Sequence, residues 1–158
     1  MITVVVGTDG SDLAVEAAGA GLSLLGPADR VVIVAVAEIV DPSLADDATG
    51  HASASMTHDE VDAQHSQARA QGQAALEVTA EAVVALGVPA TGKGVETVVI
   101  DGDPGPALCS YASDVDADVV IVGSRGRGGI KRAFLGSVSD YVVRNAPCPV
   151  VVTRARGG

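Results

Sequence analysis

Val119-Val120-Ile121-Val122-Gly123-Ser124-Arg125-Gly126-Arg127-Gly128-Gly129-Ile130-Lys131-Arg132-Ala133-Phe134-Leu135-Gly136-Ser137-Val138-Ser139 is the most informative stretch of this chain. It begins as a short apolar run without in/out alternation, the pattern of a strand buried on both faces. The run stops at Gly123, further glycines follow at 126, 128 and 129, and a helix is predicted to open at Gly136-Ser137. A strand, a glycine loop and a helix in that order put unpaired backbone N–H groups and the positive end of a helix dipole at the loop. The hydroxyls of Ser137 and Ser139 add donors, and Arg125 or Arg127 supplies positive charge. Each component suits a bound polyphosphate, and a side chain at Gly123 is expected to occupy the phosphate approach. The same residues also suit a plain turn with Ser137 as helix N-cap, so local pattern leaves both readings open.

Four more apolar runs resemble the first: Ile2–Thr8, Val31–Ala37, Val95–Ile100 and Val150–Thr153. Helix-compatible stretches separate them at Ser11–Leu25, Asp59–Leu86, Pro104–Ser113 and Ser137–Asn145. Alternation of this kind predicts βαβ units in an α/β fold, an open parallel sheet with helices on both faces. Asp9-Gly10-Ser11 supplies cap residues for the first helix and Gly26-Pro27 stops it. Pro104 suits the first turn of the third helix, and Pro147-Cys148-Pro149 leads into the last strand. Glu38–Thr57 has no clear period and reads as a mobile loop before a long, exposed second helix. No linker or repeat interrupts the pattern, so residues 1–158 are expected to form a single domain.

Composition narrows the class. The chain of 158 residues is 47% hydrophobic but holds only three aromatics, so its core must be built from Val, Ala, Leu and Ile. Met1–Val6 leads straight into a strand without the marks of a leader, and no apolar run approaches the ~20 residues of a membrane span. Two cysteines, Cys109 and Cys148, are too few for a disulfide framework or metal knot. A cytoplasmic location is expected. The net charge of −10 argues against nucleic acid and anionic membranes as partners. Yet Val119–Ser139 contains no acid and four of the ten basic residues, a local island suited to a small polyanion.

Competing motifs fail on inspection. Gly87-Val88-Pro89-Ala90-Thr91-Gly92-Lys93-Gly94 imitates a phosphate loop, but Gly94 replaces the required Ser/Thr and a strand follows instead of a helix. No G-x-G-x-x-G follows the first strand. That strand ends in Thr8-Asp9-Gly10-Ser11, and if strands one and four are neighbours, Asp9 faces the Gly123 loop across a crevice. Its carboxylate could then accept from ribose hydroxyls or an adenine amino group; it could equally cap the first helix.

These segments resemble the universal stress protein family, and in particular its ATP-binding branch. That branch carries Gly-x2-Gly-x9-Gly-(Ser/Thr), which reads here Gly123-x2-Gly126-x9-Gly136-Ser137. The opening Val4-Val5-Val6-Gly7-Thr8-Asp9-Gly10-Ser11 and the closing Ala146-Pro147-Cys148-Pro149-Val150-Val151-Val152 are similar to the family as well. The resemblance implies an adenine nucleotide α-hydrolase-like sheet of order 3-2-1-4-5 and a homodimer formed through the last strand. It implies that Gly7, Thr8 and Asp9 lie at the nucleoside end and that Val36 meets adenine through its backbone. Val122, Gly123, Arg125 and Gly126 would follow the ribose and first phosphates. Gly136, Ser137, Val138 and Ser139 would hold the outer phosphates, with room for Mg2+ or Mn2+. The implied function is an ATP-binding stress-response regulator with at most slow hydrolysis or autophosphorylation. AMP or cyclic AMP in the same site is the alternative.

Two other readings are weaker. ATP-using adenylating enzymes of the wider group carry a Ser-Gly-Gly-x-Asp-Ser loop after strand one, where this chain has Gly7-Thr8-Asp9-Gly10-Ser11. A scaffold dimer binding an acidic peptide would use the basic loop without a nucleotide. His51, His58 and His65 lack metal-ligand spacing and read as solvated surface. Cys109 reads as core, and Asp114, Asp116 and Asp118 as a solvated turn. No Ser/His/Asp set falls in the crevice, and no catalytic residue is assigned.

Overall fold

A computed structural model describes residues 1–39, 56–87, 94–125 and 135–154. Strands β1 (Thr3–Gly7), β2 (Arg30–Glu38), β3 (Val95–Gly102), β4 (Val119–Gly123) and β5 (Val150–Thr153) alternate with helices α1 (Asp12–Leu25), α2 (His58–Ala85), α3 (Pro104–Asp114) and α4 (Ser137–Asn145). All pairs are parallel and the order is β3-β2-β1-β4-β5. This is the α/β architecture read from the alternation.

The parity of each strand explains its lack of polar alternation. Val4, Val6, Val31, Ile33 and Ile121 face Ala18 and Leu22 of α1 and Leu76 and Val83 of α2. Val5, Val32, Val34 and Val120 face Leu108 and Ala112 of α3 and Val142 of α4. Both faces of the sheet are covered, so both parities must be apolar. Each fully buried Val, Leu or Ile contributes roughly 1.5–3 kcal/mol of transfer free energy, so the aliphatic set supplies the drive that aromatics usually share.

Several boundaries differ from expectation. The second helix is not simply exposed: Gly72, Ala75, Leu76, Thr79 and Val83 are buried, and the helix covers β2 and β3. It starts one residue early, at a capping box. There Thr57 Oγ1 accepts from the Glu60 N–H, and the Glu60 carboxylate accepts from the Thr57 N–H. Strand β3 runs on to Gly102, pairing Asp101 with Ala37 and Gly102 with Glu38. Asp118 is more than a solvated turn residue, because its carboxylate accepts from the N–H of Thr3 at 2.7 Å and anchors the start of β1. Cys109 is buried, as read. Most of the loop read as mobile, residues 40–55, lies outside the described residues, as do His51, Gly126 and Arg127.

Candidate functional site

The carboxyl ends of β1, β2 and β4 open into one cavity of about 850 Å3. Its position follows from strand order. Val4, Val5 and Val6 of β1 pair with Val119, Val120 and Ile121 of β4 on one side. On the other side β1 pairs with β2. The chain reverses its direction of winding between β1 and β4, and the loops leaving these two strands part to form a crevice.

The β1–α1 loop forms one wall. The backbone N–H of Thr8 donates to the Val34 carbonyl at 2.9 Å, holding the loop to β2. Gly10 takes a positive φ of 73°, which a glycine reaches without strain. Asp9 Oδ1 accepts from the Ser11 N–H at 3.0 Å and from the Ser11 hydroxyl at 2.6 Å. Ser11 is the N-cap of α1, its Oγ accepting from Ala14 N–H. Asp9 is therefore not the helix cap, a role the sequence left open; it orients the cap. Thr8, Asp9, Val36 and Glu38 line the cavity on this side.

The β4–α4 loop forms the opposite wall, and buried Ser124 is its hub. Its N–H donates to the Thr153 carbonyl of β5 at 2.8 Å. Its carbonyl accepts from the Gly136 N–H at 2.8 Å and from the Ser139 hydroxyl at 3.2 Å. Gly136 occupies the N-cap of α4 and makes no side-chain cap hydrogen bond. Ser137 is the first helical residue and not the cap. The N–H groups of Ser137, Val138 and Ser139 precede the first helical hydrogen bond, from Asp140 N–H to the Gly136 carbonyl at 2.9 Å. Ser137 and Val138 are exposed at the cavity wall, whereas Ser139 is buried. The Ser139 hydroxyl proton is engaged with the Ser124 and Gly136 carbonyls, at 3.2 and 3.0 Å. Ser139 thus braces the turn, and its hydroxyl offers a ligand a lone pair, not a proton.

Arg125 follows Ser124 along the same wall. Its Nε is buried and has no hydrogen-bond partner among the described residues. Buried guanidinium donors are rarely left unmatched, and Arg125 lines the cavity, so a bound anion is a natural partner for its guanidinium. Arg125 and the start of α4 thus line the cavity from one wall, and Asp9 and Glu38 line it from β1 and β2.

Of the residues singled out from sequence, Gly7, Thr8, Asp9, Val36, Val122, Gly123, Arg125, Gly136, Ser137, Val138 and Ser139 all line the cavity; Gly126 lies outside the described residues. A Cβ at Gly123 would meet the Arg125 carbonyl at 3.2 Å and Ala17 Cβ at 3.3 Å, so it would press on α1 and its own loop.

Sequence reading missed the third wall, which α2 supplies. His65 lines the cavity, and its Nε2 stands 3.1 Å from Asp101 Oδ1 on β3. Arg69 NH1 donates to both oxygens of the same carboxylate at 2.7 Å. Hydrogen bonds from His65 and then Arg69 hold the Asp101 carboxyl below the usual carboxylate range. Three residues separated by helix and strand carry no local motif, so no pattern could announce them. Among the described residues, no group of three or more His, Cys, Asp or Glu side chains could hold a metal ion. No helix among them is long and apolar enough to cross a membrane.

The chain is thus an α/β protein with an open, doubly wound parallel sheet and a cavity at its switch point. The sequence profile of the universal stress protein family matches residues 1–154, and the chain belongs to that family. The universal stress protein MJ0531 of Methanocaldococcus jannaschii is 28% identical over 151 residues, 96% of this chain and 81% of that one. A universal stress protein of Thermus aquaticus is 39% identical over 80 residues, 51% of this chain and 56% of that one. Two solved structures share the fold. A universal stress protein in complex with cAMP superposes with a TM-score of 0.64 at 24% identity, covering 98% of this chain and 97% of the other. An Arabidopsis thaliana family member with AMP bound gives 0.59 at 21%, covering 99% and 94%.

Proposed function

We propose that this protein is a nucleotide-binding regulator of the stress response, holding ATP across the crevice between the β1–α1 and β4–α4 loops. The observation that carries this reading is the buried Nε of Arg125, without a partner among the described residues, beside the start of α4, which no side chain caps. An anion at that spot satisfies both at once, and the carboxylate of Asp9 suits the nucleoside end. Gly7, Thr8, Asp9 and Val36 take the nucleoside. Val122, Gly123, Arg125 and Gly126 take the ribose and inner phosphates, and Gly136, Ser137, Val138 and Ser139 take the outer ones, Ser139 through its backbone N–H. Mg2+ or Mn2+ enters on the phosphates. The chain acts as one domain over residues 1–158, in the cytoplasm, as a homodimer through β5, the half-exposed edge strand. We assign no catalytic residue; hydrolysis is at most slow.

The second reading is an AMP or cyclic AMP sensor, supported by the ligands named for the two solved structures. The two separate in one experiment. Protein purified without added nucleotide is denatured and its supernatant chromatographed, and the nucleotide-free protein is titrated calorimetrically with ATP, AMP and cyclic AMP. ATP in the supernatant and tightest ATP binding are expected. Preference for a monophosphate selects the second reading, and no binding of any of the three overturns both.

A further inference from the structure

Thr79 lies on α2, far in sequence from both loops of the cavity, and its exposure is 0%. Its hydroxyl donates to the Ala75 carbonyl one turn back at 2.8 Å. The same oxygen stands 2.9 Å from Thr8 Oγ1. A threonine hydroxyl has a single proton. With that of Thr79 on Ala75, Thr8 must be the donor between the two hydroxyls. Thr8 Oγ1 in turn accepts from the N–H of Gly10 at 3.1 Å. Gly10, Thr8, Thr79 and Ala75 thus form a one-way relay from the cavity loop into the middle of α2. Asp9 sits between the first two members, so the relay fixes the turn that presents its carboxylate.

Packing alone does not account for a hydroxyl here. Valine has nearly the same shape and would bury no polar atom, so a threonine at this depth is useful only for its hydrogen bonds. One of those bonds is internal to the helix, and the other reaches the cavity loop. The relay also spends the only hydroxyl proton of Thr8, so that hydroxyl shapes the loop and meets a nucleoside only as an acceptor.

We propose that Thr79 is a positioning residue of the ligand cavity, orienting the Thr8–Gly10 turn and with it Asp9 through its buried hydroxyl. Its consequence for affinity rests on the nucleotide reading above, but the relay itself does not. The test compares Thr79→Val and Thr79→Ser in the full chain. Three readouts are taken: ATP affinity by calorimetry, the Gly10 amide shift and hydrogen exchange in ligand-free protein, and thermal unfolding. Thr79→Val is expected to weaken ATP binding about three- to tenfold, the range for one lost hydrogen bond, and to shift the Gly10 amide and speed its exchange. Thr79→Ser is expected to restore affinity and amide while still melting earlier, because it lacks the buried methyl. Wild-type affinity in Thr79→Val overturns the proposal, as does loss of affinity that tracks melting temperature alike in both variants. Should Thr79→Val fail to fold, Thr79→Ala takes its place with the same readouts. Should wild type bind no adenine nucleotide, the functional reading falls by itself. The Gly10 amide then decides the relay: unchanged in Thr79→Val, it overturns the positioning role.

Discussion

The backbone N–H of Gly136 donates to the carbonyl of Ser124 at 2.8 Å, bringing the N-cap of α4 back against the residue that follows β4. This contact puts Arg125 beside the start of α4. The last glycine of the motif, Gly136, thus returns to the residue after the first, Gly123. Ser139 reinforces the closure from within the helix. Ser139→Ala is therefore expected to lower stability by about 1 kcal/mol, the net value of a modest buried hydrogen bond, measured by urea unfolding. A loss near zero would mean that Gly136 closes the loop unaided.

Arg125 carries the electrostatic half of the proposed site. Arg125→Ala should weaken ATP about ten- to a hundredfold, the range for one charge-assisted hydrogen bond, and adenosine far less. Calorimetric titration of both ligands checks the split. Equal losses for the two would move Arg125 away from the phosphates.

Gly123 reports on packing. Because its missing Cβ points at Ala17 and the Arg125 carbonyl, Gly123→Val is expected to cost about 1–3 kcal/mol of stability through overpacking. Thermal melts without nucleotide measure this. A variant that melts like wild type yet fails to bind ATP would restore the view that the side chain blocks the phosphates.

Asp101 ties β3 to α2 through His65 and Arg69, and its carboxyl is held below the usual range. A depressed carboxylate stabilises the fold above the unfolded value, near pH 4, and that contribution disappears as pH falls through the folded value. Asp101→Asn should therefore lower the melting temperature at pH 7, by a small margin because the pair is partly exposed. The gap between variant and wild type should close below about pH 4. A gap independent of pH would assign the loss to packing.

Burial pushes the thiols of both Cys109 and Cys148 up. Little thiolate forms near neutrality, so alkylation by iodoacetamide should run slower in the folded protein than in urea. Rapid labelling of the native chain, followed by mass spectrometry, would contradict this.

Much of this was legible in the sequence. Apolar runs without alternation mark strands covered on both faces, since burial on each face leaves its imprint on successive residues. The glycine loop, the polar turn after β1 and the four helices follow from signals only a few residues long, and together with the family resemblance they named the lining that β1, β4 and the start of α4 contribute, but not that of α2. Other facts depended on the chain crossing over itself. That β1 neighbours β4 was only a condition in the local reading and a consequence of family resemblance. The Ser124–Gly136 closure, the His65–Arg69–Asp101 cluster and the Thr8–Thr79 hydroxyl pair could not be read at all. Each joins residues whose local patterns carry no reference to one another. Periodicity records how deeply a residue is buried, but which partner it meets there is decided by strand order and helix packing.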